Sequence, residues 1–150
     1  MKNILVLSVI TLGTLSTSVS AKKLYGDVLV TDVNPKEKIH WQRTDPKTVT
    51  YPKELAMSES TGCVVLNFDV NQAGETENIS IVQTNAKKKV AKYTKRMLKK
   101  WQWSPIDSSA KLNTESRTIR FDYCMSNESG EKAKAMCQQQ SQLACSNKNV

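Results

Sequence analysis

The apolar positions change period along the chain, and those changes delimit the elements. From Gly62, the residues Val64, Leu66, Phe68 and Val70 alternate with Cys63, Val65, Asn67 and Asp69. A two-residue period with one apolar face predicts a half-buried strand. Asn71-Gln72-Ala73-Gly74 reads as a turn whose glycine accepts positive φ. Ile79 and Ile81 then alternate with Asn78, Ser80 and Val82, which predicts a second strand and so a hairpin. Over residues 87–101 the period lengthens. Val90, Tyr93, Thr94, Met97, Leu98 and Trp101 fall at three-four spacing, one stripe of a helix, with lysines over the remainder. Ser104-Pro105 is expected to end the helical region, because the residue before proline avoids the α conformation. Ile119, Phe121 and Tyr123 alternate with Thr118, Arg120, Asp122 and Cys124, a third strand. The order β-β-α-β predicts an α+β fold: a small antiparallel sheet with one helix packed on one face.

Two segments flank this core. Residues 22–50 form a mixed extension in which 27–33 is a candidate short strand, with Asn34-Pro35 and Asp45-Pro46 as turns. Residues 126–150 form a polar, Gln-rich tail with helical propensity between Glu131 and Ala144. The first 21 residues have another character: Lys2, an apolar run from Ile4 to Leu15, then Ser18-Val19-Ser20-Ala21. That run is shorter than the roughly 20 residues needed to span a bilayer and has the build of a signal peptide cleaved after Ala21. The expected division is 1–21 signal peptide, 22–50 extension, 51–125 folded core and 126–150 cysteine-containing tail.

Export changes what the charge means. The chain carries 22 Lys and Arg against 14 Asp and Glu, a formal net charge of +8. Such a surplus favours acidic partners, and outside the cytoplasm nucleic acid is not among them. Lys88, Lys92, Lys95, Arg96 and Lys99 form the basic face of the helix, which is either a solvated face or a contact for anionic lipid headgroups. The stretch Lys99-Lys100-Trp101-Gln102-Trp103 poses the question whether the two tryptophans stack a ligand or pack the core. The helical stripe assigns Trp101 to the core, and Trp103 falls just past the helix.

Enzymatic chemistry finds no constellation. His40 is the only histidine, no GxSxG nucleophile motif occurs, and a lone histidine beside disulfide-forming cysteines is a poor metal set. No catalytic residue, metal or cofactor is expected. An even count of four cysteines, Cys63, Cys124, Cys137 and Cys145, in an exported chain predicts disulfides, and three pairings are open.

Five of these motifs in order resemble the C-terminal domain of TonB, to which TolA has a related domain. They are Tyr51-Pro52; Gly62-x-Val64-x-Leu66-x-Phe68-x-Val70; Gly74; Ile79-x-Ile81; and Trp101-x-Trp103-x-Pro105. The resemblance covers residues 51–125. It implies a periplasmic, non-enzymatic interaction module that binds an extended segment of an outer-membrane TonB-dependent transporter, or of another envelope protein, by strand addition to an open sheet edge. The short apolar segment and an extension with few prolines imply a stand-alone exported domain. Oligomeric state is left open. Carried onto this sequence, the partner-binding edge is the third strand: Arg117, Thr118, Ile119, Arg120, Phe121, Asp122 and Tyr123. The family topology also sets the third strand antiparallel to the first, which implies a Cys63–Cys124 disulfide on the face away from the helix. Cys137 and Cys145 then pair with each other across a break between Gln138 and Ala144, pair elsewhere, or stay free.

Overall fold

Each period read from the sequence becomes an element in the computed structural model, which describes residues 23–33, 39–109 and 112–146. The expected signal peptide lies outside the described residues. Strand β1 spans Tyr25–Asp32 and β2 spans Trp41–Arg43; a one-turn helix α1, Lys53–Ala56, follows Pro52. The hairpin is β3, Gly62–Val70, and β4, Thr76–Thr84; helix α2 spans Lys88–Leu98. Then come β5, Trp103–Pro105, β6, Glu115–Ser126, and α3, Glu131–Ser141. The fold is α+β, and its β3-β4-α2-β6 core is the expected β-β-α-β unit.

The main sheet has four antiparallel strands in the order β1-β6-β3-β4. One face carries Val64, Leu66, Phe68 and Val70 of β3 with Ile119, Phe121 and Tyr123 of β6. It packs under Val90, Ala91 and Leu98 of α2. At the centre of this layer the hydroxyls of Thr94 and Tyr123 share a 2.8 Å hydrogen bond, so neither is buried unpaired.

Helix α2 ends at Leu98, one turn earlier than expected. The amides of Lys100 and Trp101 bond the carbonyls of Met97 and Leu98, a tighter closing turn. Trp101 is therefore half-buried beyond the helix, and Trp103 is the deeper of the two. The Trp103 ring stacks on Phe68 at 5.5 Å, and its indole N–H donates to Thr76 Oγ1 at 2.8 Å. Ser104-Pro105 is not a helix stop but part of β5, which pairs with β2 across the end of the main sheet. Gly74, at φ 76°, makes this closure possible: a Cβ there would fall 2.2 Å from the Trp103 carbonyl oxygen.

The expected single helix layer is incomplete. Helix α3 packs on the opposite face, against β6 and β1, and disulfides hold it there. The expected Cys63–Cys124 bridge does not form; the pairs are Cys63–Cys145 and Cys124–Cys137. Register supplies one reason. Cys63 stands opposite Asp122, so Cys124 is a diagonal neighbour. The tail supplies the other. Cys137 on α3 lies over Cys124, and the chain after α3 returns to carry Cys145 to Cys63. Roughly 12 Å separates positions eight apart on a helix axis, too far for one bridge between the tail cysteines but suited to two strands.

Two expected outcomes follow from this packing. Peptide mapping without reductant should yield Cys63 linked to Cys145 and Cys124 linked to Cys137. The first closes the longer loop, with a sequence separation of 82 against 13. In the chain-entropy model, Cys145→Ser should then cost about 4.5 kcal/mol in urea unfolding and Cys137→Ser about 3 kcal/mol. The second outcome concerns alkali. Burial pushes the Tyr123 and Tyr51 phenols up to about 12, whereas an unfolded chain releases these protons near pH ~10. The folded state keeps protons that the unfolded state loses, so stability should hold below pH ~10 and fall as pH rises toward ~12. Tyr123→Phe should flatten that decline in urea midpoints measured against pH.

Candidate partner-binding edge

A strand accepts a partner only where one row of its backbone N–H and C=O groups is unpaired. Strand β6, which contains Arg117 to Tyr123, has no such row. Strand β3 pairs along one side of it and β1 along the other, from Tyr25↔Ser126 to Asp32↔Ile119. The expected open edge at β6 is thus closed by the chain's own residues 25–32. Gly26 seats this strand against the Tyr51 ring, since a Cβ there would lie 2.6 Å from Tyr51 Cγ.

The side chains of β6 are correspondingly internal. Ile119, Phe121 and Tyr123 are core residues. Arg117 is buried: it donates to the Trp41 carbonyl at 2.9 Å, pairs with Asp32 of β1, and lies 4.7 Å over the Trp103 ring. Arg120 holds Asp122 through two 2.8 Å bonds and donates to the Leu143 carbonyl at 2.9 Å. Asp122 itself has 0% exposure. Thr118 Oγ1 donates to Asn67 Oδ1 at 2.9 Å across the sheet. The charged residues of β6 are cross-links that fasten β1 and the α3 tail to the centre of the sheet.

The open edge is β4. Among the described residues no strand pairs with its outer side over 77–83, and only Glu75, before the strand begins, bridges to Gln102. Residues 78–83 read Asn-Ile-Ser-Ile-Val-Gln, without charge or proline. Ile81 and Val82 are 42% and 46% exposed. Two register shifts against β3 twist the strand. At one of them Asn78 takes φ 51° and its side chain donates to Asp69 Oδ2 at 2.8 Å. A hydrogen bond from the Ser116 hydroxyl, and after it the one from Asn78, hold the Asp69 carboxyl below its ordinary range.

The basic face of α2 stands beside this edge. Lys88, Lys92, Lys95, Arg96 and Lys99 are all exposed, and none joins an ion pair among the described residues. On the opposite flank of the helix, Tyr93, Met97 and Lys100 line a cleft of about 490 Å³ with Trp101, Arg43 and Val49. The Arg43 guanidinium lies 4.3 Å over the Trp101 ring, and burial lowers its pKa. The tryptophans are thus packing elements, Trp103 wholly and Trp101 on one side.

His40 is exposed; its N–H donates to Glu115 Oε2 at 2.7 Å and its carbonyl accepts from Ile106. Among the described residues no group of His, Cys, Asp and Glu is placed to hold a metal.

The match to a family model agrees with the motifs. The family model described as the Gram-negative bacterial TonB protein C-terminal matches residues 47–124. The solution NMR structure of the Pseudomonas aeruginosa TonB C-terminal domain is similar to this chain at 17% identity and a TM-score of 0.49. The match covers 59% of this chain and 89% of that one. No curated protein matches. The family match leaves out β1, β2 and α3. It includes β3, β4, α2 and nearly all of β6. Since it takes in more than half of the 150 residues, the chain belongs to the family of the Gram-negative bacterial TonB protein C-terminal domain.

Proposed function

We propose that this chain is a periplasmic binding module that takes an extended segment of an envelope protein as an added strand along β4. An outer-membrane TonB-dependent transporter is the partner, and TonB-dependent transport the process it serves. The family is one of non-enzymatic interaction modules of the periplasm. Two disulfides suit that oxidising compartment. The observation that carries the reading is the sheet order β1-β6-β3-β4, which leaves β4 as the uncovered edge of a family built to bind partners. Backbone hydrogen bonds along 77–83 supply affinity, and the exposed Ile81 and Val82 supply apolar contact.

A second reading, adsorption to an anionic membrane surface, rests on the five exposed basic residues of α2, each worth roughly 1 kcal/mol near such a surface. Salt separates the two: adsorption should fade over a few tenths molar salt, whereas backbone pairing should persist.

Hydrogen exchange on isotope-labelled protein tests the proposal. With a peptide from the periplasmic N-terminal segment of a TonB-dependent transporter, the amides of residues 77–83 that face away from β3 should exchange at least about tenfold more slowly, equivalent to ~1.4 kcal/mol. Loss of protection over Tyr25–Asp32 would instead mean that the partner replaces β1 on β6. No change at either strand would reject strand addition.

A further inference from the structure

We infer that the segment accepted along β4 is acidic, presenting Asp or Glu on the side that faces α2; this rests on strand addition at β4. The argument is one of helix phase. The buried residues Val90, Ala91, Thr94 and Leu98 point α2 at the sheet. Tyr93 and Met97 define one flank, which looks onto residues 43–50. That segment leads into Tyr51, whose ring meets Tyr123 of β6 at 5.8 Å and covers Gly26 of β1. One flank of α2 therefore faces the β6 and β1 side of the sheet, and the other faces β4.

Helix phase puts Lys88, Lys95 and Lys99 on the β4 flank, and the Lys99 side chain, at the last turn, also borders Arg96, Met97 and Tyr93. Lys88 and Lys95 are two helical turns apart, and Lys99 is one turn further. Ala91 sits on the same row and is 4% exposed, which marks where this flank meets the sheet. The row extends about 16 Å at ~1.5 Å per residue, the length of about five strand residues at ~3.3 Å each. A strand added to β4 thus runs alongside three ammonium groups that have no carboxylate partner among the described residues. Its side chains alternate, one set toward α2 and the lysines, the other toward solvent. Acidic groups on the inner set meet the row; lysines there face like charge.

The same row argues against a second copy as the occupant. Two chains joined β4 to β4 in one continuous antiparallel sheet carry their α2 helices on the same face. Their lysine rows would then confront each other across the junction, and like charges in register are destabilising.

Three eight-residue peptides of one β-branched framework, with Glu, Gln or Lys at alternate positions, test the proposal against the full chain with its disulfides intact. Fluorescence anisotropy gives affinity, and hydrogen exchange reports which strand is engaged. The Glu peptide should bind about tenfold more tightly than the Gln peptide at low salt, and the Lys peptide more weakly than either. The preference should vanish in the surface variant Lys88→Gln/Lys95→Gln/Lys99→Gln, which leaves the fold intact, and should shrink as salt rises. Equal affinities for all three peptides, with residues 77–83 protected in each case, would overturn the acidic preference while strand addition stands. If no peptide protects β4, strand addition fails and the preference with it. A lysine effect seen only with anionic vesicles, and with no peptide, would reassign the row to a membrane surface.

Discussion

The two-sided pairing of β6 is the constraint on which the rest of the structure depends. A strand of twelve residues, Glu115–Ser126, crosses the middle of the sheet with β3 on one side and β1 on the other. Strand β3 pairs with residues 115–123 of it and β1 with residues 119–126, so the central stretch 119–123, between α2 on one face and α3 on the other, is hydrogen-bonded on both sides. Remove β1, and a long row of donors and acceptors opens on the strand that carries Ile119, Phe121 and Tyr123. The extension is therefore part of the folded unit although the family match begins only near its end, at residue 47.

The charged residues of β6 serve the same centre. Asp122 is fully buried opposite Cys63, and it is tolerable there because Arg120 grips both of its oxygens. Taking one partner from such a pair leaves an uncompensated buried charge, a loss of about 3–5 kcal/mol. Arg120 also reaches the Leu143 carbonyl just before Cys145, so the ion pair and the Cys63–Cys145 disulfide hold one stretch of tail from two directions. Arg117 does the corresponding work at the other end of β6, joining Asp32 of β1 to the Trp41 carbonyl of β2.

These placements separate what is legible in the sequence from what is not. Alternation over Gly62–Val70 and Ile119–Tyr123 and three-four spacing over Val90–Leu98 report which side chains are buried, and β3, β6 and α2 follow from them. Alternation does not report which edge is paired. Val28 and Val30 have the parity of a strand, yet nothing in their types names β6 as its neighbour. The cysteines divide in the same way. Parity puts Cys63 and Cys124 on one face, as found, but which sulfurs meet depends on the register and on α3. That helix has a weak apolar stripe, only Ala133 and Cys137 being buried, so the sequence does not disclose the face it covers. The open edge at β4 is legible only in retrospect, as a run of six residues without charge or proline, because openness is a property of the whole sheet.

The two edges of the β3-β6 pair are unequal for a partner. Entering beside β6 means displacing β1, with its eight register pairs, the buried Val28 and the Arg117–Asp32 ion pair. At roughly 0.2–1 kcal/mol per cross-strand pair, that is several kcal/mol spent before any new contact counts. Entering beside β4 over 77–83 displaces no strand among the described residues. Helix α3 deepens the difference, since both disulfides clamp the tail over β6 and β3 and keep α3 packed on β1. A partner that bound both edges equally well in isolation would therefore occupy β4 first. The inequality is thus a matter of what already occupies each edge: β6 is filled by the chain's own β1, and β4 has no strand on its outer side among the described residues.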